Sequence, residues 1–210
     1  EADIRSRTAE FLDHHDPRAL SHVEFLGAQF DAGLAWVHFQ EGLGGLGAPR
    51  ALQQVVDAML EAAGAPAADR RRNPIGLGMA APTIRDHASD ALKRKYLRPT
   101  LTGELAWCQL FSEPGAGSDL AGLTTTAVRD GDEWVVNGQK VWNTSADHAD
   151  MGILVARTDW GAVKHAGLSY FLIDMHQRGV EARPILQMNH RSSFNEVFLS
   201  EARIADADRV

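Results

Sequence analysis

The sequence predicts an α+β fold: an all-α N-terminal domain over residues 1–103, then an antiparallel, β-barrel-like domain over residues 104–210. Three observations predict it. Apolar residues recur with helical spacing up to about residue 103, short runs rich in Val, Ile, Thr, Phe and Trp follow from Glu104 onward, and the two kinds of segment do not alternate. Helices first and strands second argue for two packed domains rather than a doubly wound α/β sheet.

The clearest helical stripe is Leu52, Val55, Val56, Met59 and Leu60, on one face at i, i+3, i+4, i+7 and i+8, with Gly64 and Pro66 expected to end that helix. Ser21 and Glu24 have the spacing of a capping box ahead of Leu26 and Phe30. Ser89 is placed to cap a helix carrying Leu92, Tyr96 and Leu97, which Pro99 is expected to stop. His14 and His15 fall in an expected loop ahead of Pro17. The glycine-rich stretch from Glu41 to Pro49 lacks a GKS or GKT ending and reads as a connection rather than a phosphate cradle.

After a break expected near Thr102-Gly103, the segments LTTTAVR, EWVVNGQKVW, ADMGILVART, GLSYFLIDM, GVEARPIL and FNEVFLSEARI read as successive strands. Asn137-Gly138 carries the strongest short hairpin signal, because a type I′ turn needs positive φ at both central residues. Asp130-Gly131-Asp132 marks a second turn.

Composition narrows the function. With 44% hydrophobic and 23% charged residues the chain is ordinary for a globular protein, and its apolar runs fall short of the roughly 20 residues of a membrane span. The charged start EADIRSR is unlike a signal peptide, so no membrane association and a cytoplasmic location are expected. One cysteine, Cys108, excludes an intrachain disulfide and reads as a small buried hydrophobe. A net charge of -7 argues against a nucleic-acid partner, and Arg70 to Arg72, after Asp69, read as a solvated loop. Nine histidines show no paired ligand spacing, so no metal site is expected.

The densest unusual segment is WCQLFSEPGAGSDLAG, from Trp107 to Gly122. A Rossmann fingerprint fails there, since it requires glycine where Leu120 stands and a helix where a strand is expected. Gly115 and Gly117 can still expose consecutive N–H groups and, with the Ser118 hydroxyl, form a concave anion site for a pyrophosphate. An ordinary turn, fixed by Asp119, fits the same residues. Trp142 on a strand reads, by typical aromatic burial, as a core residue. Glu113 and Glu196 are expected to set local structure.

The run from Gln109 to Asp119, then DGDEWVVNGQKVWNTS, ILVARTD and FNEVFL, resembles the acyl-CoA dehydrogenase family in content, order and spacing. The resemblance implies an FAD-dependent oxidoreductase of lipid metabolism and fatty acid β-oxidation, whose middle β domain (104–210) holds the isoalloxazine ring and the acyl-CoA thioester. It assigns Gln109, Leu110, Phe111 and Ser112 to the strand beside the flavin's pyrimidine side. Gly117 and Ser118 match the loop at the pyrophosphate and the CoA ester, and Trp142, Asn143 and Thr144 match the Trp-x-Thr element at the ring. Met79, within GLGMAAPTI, would line the acyl chain, with plain packing as the competing role. The family's base is a glutamate in a C-terminal helical domain, so these 210 residues are expected to hold no catalytic residue and to be inactive alone. Implied partners are an acyl-CoA, an electron-transfer flavoprotein or similar acceptor, and further subunits in a homo- or hetero-oligomer. A same-fold acyl-CoA oxidase, a flavin monooxygenase, or a non-catalytic flavin-holding subunit of a heteromer are the alternatives.

Overall fold

Five α-helices form in the first half: α1 (Ala2–His14), α2 (His22–Asp31), α3 (Gln53–Ala62), α4 (Ala81–His87) and α5 (Asp90–Thr102). Helix α2 starts where its capping box forms. The Ser21 hydroxyl accepts from the Glu24 N–H at 3.3 Å, and the Glu24 carboxylate accepts from the Ser21 N–H at 2.9 Å. Ser89 caps α5 through the Leu92 N–H at 3.3 Å. In α3, Val56 and Leu60 are buried and Ala62 is the last helical residue, two before Gly64.

Two expectations fail here. Pro99 does not stop α5, which continues to Thr102 and ends at left-handed Gly103. An interior proline costs about 3 kcal/mol, but Tyr96, Leu97, Thr100, Leu101 and Thr102 are all buried, and that packing outweighs the local cost. The Thr100 hydroxyl also donates to the Tyr96 carbonyl at 2.6 Å, and the Pro99 carbonyl accepts from the Leu105 N–H. His14 and His15 do not form a loop either: His14 is the last residue of α1 and His15 caps it, its ring stacked on Phe11 at 4.5 Å. Arg70 to Arg72 are exposed, with the Asp69 carboxylate accepting the Arg71 and Arg72 N–H groups.

The helical core is built on Phe25, Leu26, Leu34, Val56, Ile84 and Leu97. Ahead of α4 the residues Gly76–Ala80 form a single π-turn, a widened geometry found disproportionately at functional sites.

The computed structural model describes residues 1–210, which divide into two units, Glu1–Leu105 and Ala106–Val210. The second unit is a seven-stranded sheet of β1 (Trp107–Leu110), β2 (Thr126–Asp130), β3 (Glu133–Thr144), β4 (Met151–Arg157), β5 (Leu168–Asp174), β6 (Val180–Ile185) and β7 (Phe194–Ala205). Its order is β1-β4-β2-β3-β7-β6, with β5 also on β4. Residues from β1, β3, β4, β5 and β7 share one core, with the Trp134 and Phe171 rings edge-on at 5.5 Å, so the sheet curls into a half-barrel.

The sheet is mixed rather than strictly antiparallel: β1 runs parallel to β4, from Trp107↔Met151 to Leu110↔Leu154, and β2 meets β4 parallel at Thr126↔Arg157. Strand direction is invisible in side-chain alternation, because a strand presents the same faces either way. Every residue of β4 is buried, as a strand covered on both faces must be.

The β2–β3 reversal falls at Asp130 to Asp132, as its turn residues predict. Asn137-Gly138 is not a hairpin. It lies inside β3, at a register shift against β7 between Val136 and Gly138. A Cβ on Gly138 would collide with the Thr125 side chain, and the Asn137 carboxamide oxygen accepts the Glu201 N–H at 2.9 Å. The pair therefore forms a bulge rather than a turn. No helix is long and apolar enough to cross a membrane.

Candidate functional site

At the end of β1 the chain leaves the sheet and runs Phe111, Ser112, Glu113. Leu110 is fully buried in the core, while Gln109, Phe111 and Ser112 are half-buried. Phe111 packs edge-on against Tyr170 at 6.0 Å. The backbone here is tied to β3 by specific donors. The Gln109 carbonyl accepts from Asn143 Nδ2 at 2.6 Å, and the Ser112 carbonyl accepts from the Val141 N–H at 2.9 Å.

Those ties land on a second bulge of β3, where the register to β7 shifts between Lys140 and Asn143. Inside it Trp142 adopts φ +62, in the left-handed region that a bulky side chain enters only under constraint, and its indole is 60% exposed. The constraint is visible. Asn143, next in sequence, is buried and gripped from both sides, since its side chain donates to Gln109 and its carbonyl accepts from buried Asn195 at 3.1 Å. Asn195 also donates to Asp147 at 3.0 Å. Phe194 lies edge-on to the Trp142 ring at 6.1 Å, and Thr144 is half-buried and pairs with Phe194 in the ladder. Gln109 and Ser112 are thus drawn together with Trp142, Asn143 and Thr144.

The loop beyond Ser112 begins with a closed turn, in which Glu113 and Ala116 exchange N–H to carbonyl bonds of 2.8 and 3.1 Å. Ala116 is buried with Leu123 and Val155, whereas Gly115, Gly117, Ser118 and Asp119 are exposed. Neither Gly115 nor Gly117 has positive φ, and a Cβ on either would meet nothing. Nothing within the chain requires glycine there, and the N–H groups of Ser112, Gly117 and Ser118 make no backbone hydrogen bond within the chain.

Sequence reasoning missed the groups that hold this loop. Lys140 has no exposed side-chain surface, and its Nζ donates to the Phe111 carbonyl at 2.9 Å, the Val155 carbonyl at 2.8 Å and Glu113 Oε1 at 2.9 Å. Glu113 also accepts from the Thr124 N–H and hydroxyl and from the Thr125 N–H, at 2.7 to 2.9 Å. Burial pushes the Glu113 carboxyl up, but the donors of Thr125, Thr124 and Lys140 together outweigh it and bring it down to about 2. Nearby, the buried Arg157 guanidinium donates to the Ala121 carbonyl at 2.6 Å and the Leu123 carbonyl at 3.3 Å, holding the loop's far end. The one signal in the sequence is a charged residue, Lys140, in an otherwise strand-forming run.

Other candidates lie elsewhere or carry no chemistry. Met79 belongs to the helical unit, half-buried in the π-turn. Burial pushes the Cys108 thiol up to about 12, so it is no nucleophile. Glu196 contacts Gln139 at 3.5 Å.

Two family descriptions match this chain: "Acyl-CoA dehydrogenase, N-terminal domain" over residues 2–104 and "Acyl-CoA dehydrogenase, middle domain" over residues 108–202. The chain is 44% identical over 177 residues to the acyl-CoA dehydrogenase FadE34 of Mycobacterium tuberculosis, covering 84% of this chain and 24% of that protein. Among solved structures, the ChsE4-ChsE5 complex from Mycobacterium tuberculosis superposes with a TM-score of 0.68 at 31% identity, covering all of this chain and 54% of its counterpart. A glutaryl-CoA dehydrogenase from Mycobacterium smegmatis in complex with FADH2 does so with a TM-score of 0.63 at 25% identity, over 99% of this chain and 54% of the other. The chain spans less than two thirds of the length of each.

Proposed function

This chain belongs to the acyl-CoA dehydrogenase family, and from that premise we propose that it forms the flavin- and thioester-holding part of an enzyme that dehydrogenates an acyl-CoA at its α and β carbons with FAD. The observation that carries the reading is Trp142: an exposed indole held in a left-handed conformation by buried asparagines, beside the main chain of Gln109 to Ser112. Strain of this kind costs about 1–3 kcal/mol and persists where its surroundings over-determine it, as at ligand clamps.

The residues present fit a flavin. A flat exposed ring, unengaged N–H groups on Ser112, Gly117 and Ser118, and two glycines open to close approach are what an aromatic ring system with a pyrophosphate tail would use. FAD, when bound, supplies the hydride acceptor. Gln109, Leu110, Phe111 and Ser112 would hold the ring's edge, and Trp142, Asn143 and Thr144 its face. Gly117 and Ser118 would take the pyrophosphate and the CoA ester.

The proton acceptor is assigned outside these 210 residues. Glu113 is committed to Lys140 and held at about 2, too acidic for a base working near neutral pH. Glu196 is engaged with Gln139. The complex named for the ChsE4-ChsE5 relative supports an assembly with a second, different subunit, and an electron-transfer flavoprotein is the proposed acceptor.

The test is a visible spectrum of the complete natural protein with FAD, followed by anaerobic bleaching with a panel of acyl-CoA thioesters. A flavin envelope that bleaches with at least one thioester supports the reading. No flavin binding sinks it, and rapid peroxide release in air turns it into an oxidase.

A further inference from the structure

A charged pair buried beneath a loop asks for an explanation. Three acceptors surround Lys140 Nζ, so all three of its N–H bonds are directed and the group is an ammonium. Such a pair gives little net stability, because a well-packed apolar pair of similar volume holds a core at least as well. Its effect is geometric. Lys140 fixes the Phe111 carbonyl, and across a planar trans peptide the Ser112 N–H must then point the opposite way. The next carbonyl, that of Ser112, is fixed by Val141. Glu113, the other half of the pair, begins the closed turn that delivers Gly117 and Ser118, and the two threonines before β2 anchor its carboxylate.

We propose that Lys140, through its pair with Glu113, is a positioning residue for the cofactor: it aims the Ser112 N–H outward and sets the turn leading to Gly117 and Ser118. The inference rests on the flavin reading above. It assigns a role to two side chains that do not themselves face the ligand, since both are buried. Replacing the pair by neutral residues should therefore spare the fold and harm binding.

The experiment uses the complete natural protein carrying Lys140→Met with Glu113→Gln, and separately Lys140→Arg. Apo-protein melting and FAD affinity by fluorescence quenching are read for each. The double variant, which leaves no unpaired buried charge, is expected to fold, melting somewhat below the unsubstituted apo-protein because the Phe111 carbonyl loses its donor, yet to bind FAD about tenfold or more weakly. Lys140→Arg keeps the charge but cannot direct three bonds from one nitrogen, and the same affinity loss is expected. Either variant, folded and binding FAD as tightly as the unsubstituted protein, overturns the proposal while leaving the flavin reading intact. An unsubstituted protein that binds no FAD removes both. If the double variant does not fold, the Lys140→Arg affinity decides.

Discussion

In the helical unit the ion pairs stand in water, as Arg5 with Glu1, Arg7 with Asp3 and Arg98 with Asp31 do, and the buried polar side chains are neutral: Thr8, Gln29, Asn73, Thr100 and Thr102. The β unit has exposed pairs too, such as Arg183 with Glu181 and Arg203 with Asp130, but it differs in what it buries. It encloses a complete ion pair, Lys140 with Glu113, and the Arg157 guanidinium, together with Asn143 and Asn195. The enclosed groups cluster beneath the loop and bulge that carry the candidate site, and they bond main-chain carbonyls of Gln109, Phe111, Ala121, Leu123 and Val155. The difference teaches where this chain accepts desolvation cost. Helices satisfy their own backbone, but an irregular loop needs side chains brought in to do it.

The comparison breaks first, if it breaks, at Lys140. Lys140→Met alone leaves the Glu113 carboxylate buried without its partner and should cost about 3–5 kcal/mol in denaturant unfolding of the complete protein. Adding Glu113→Gln should restore most of that. A double variant as unstable as the single one would mean that shape, not charge, is what the site enforces.

Acid should expose the same pair. The folded Glu113 carboxyl sits at about 2 against an ordinary value near 4.5, a depressed pKa, so its contribution is present above about pH 4.5 and lost as pH falls through about 2. The stability gap between unsubstituted protein and Glu113→Gln should be widest near neutral pH and close across that window. A gap independent of pH contradicts the assignment of charge to Glu113.

Smaller effects are expected among the helices. Ser21→Ala removes the Glu24 N–H acceptor of the capping box and should cost about 1 kcal/mol, visible as a lower denaturant midpoint with an unchanged slope. Arg98→Ala should cost no more than about 0.5 kcal/mol, because its partner Asp31 and the guanidinium are both substantially exposed. A loss there approaching that of Lys140→Met would erase the contrast between the units.

The features legible in the amino-acid sequence are local ones. The Ser21 and Ser89 caps, the Val56–Leu60 stripe and the Asp130 to Asp132 turn depend on residues within a few positions of one another. Pro99 misleads because its local cost is real but smaller than the burial of the turn around it. Asn137-Gly138 misleads because the same dipeptide suits a hairpin or a bulge, and Thr125 and Glu201 decide between them. At the candidate site, the loop and the Trp142 segment carry motifs, whereas the clamp beneath them carries none.

The sequence by itself determined the order of helices and strands, the division into an α and a β part, and the resemblance that names the family, because hydrophobic period, caps and motif spacing are properties of short stretches. Only the tertiary structure decided that β1 runs parallel to β4, that Trp142 turns outward in a left-handed bulge, and that Lys140 lies sealed against Glu113. The physical reason is distance along the chain. The partners of Lys140 and Asn143 lie 15 to 52 residues away, and a lysine is driven into a core only when acceptors that far off converge to replace water.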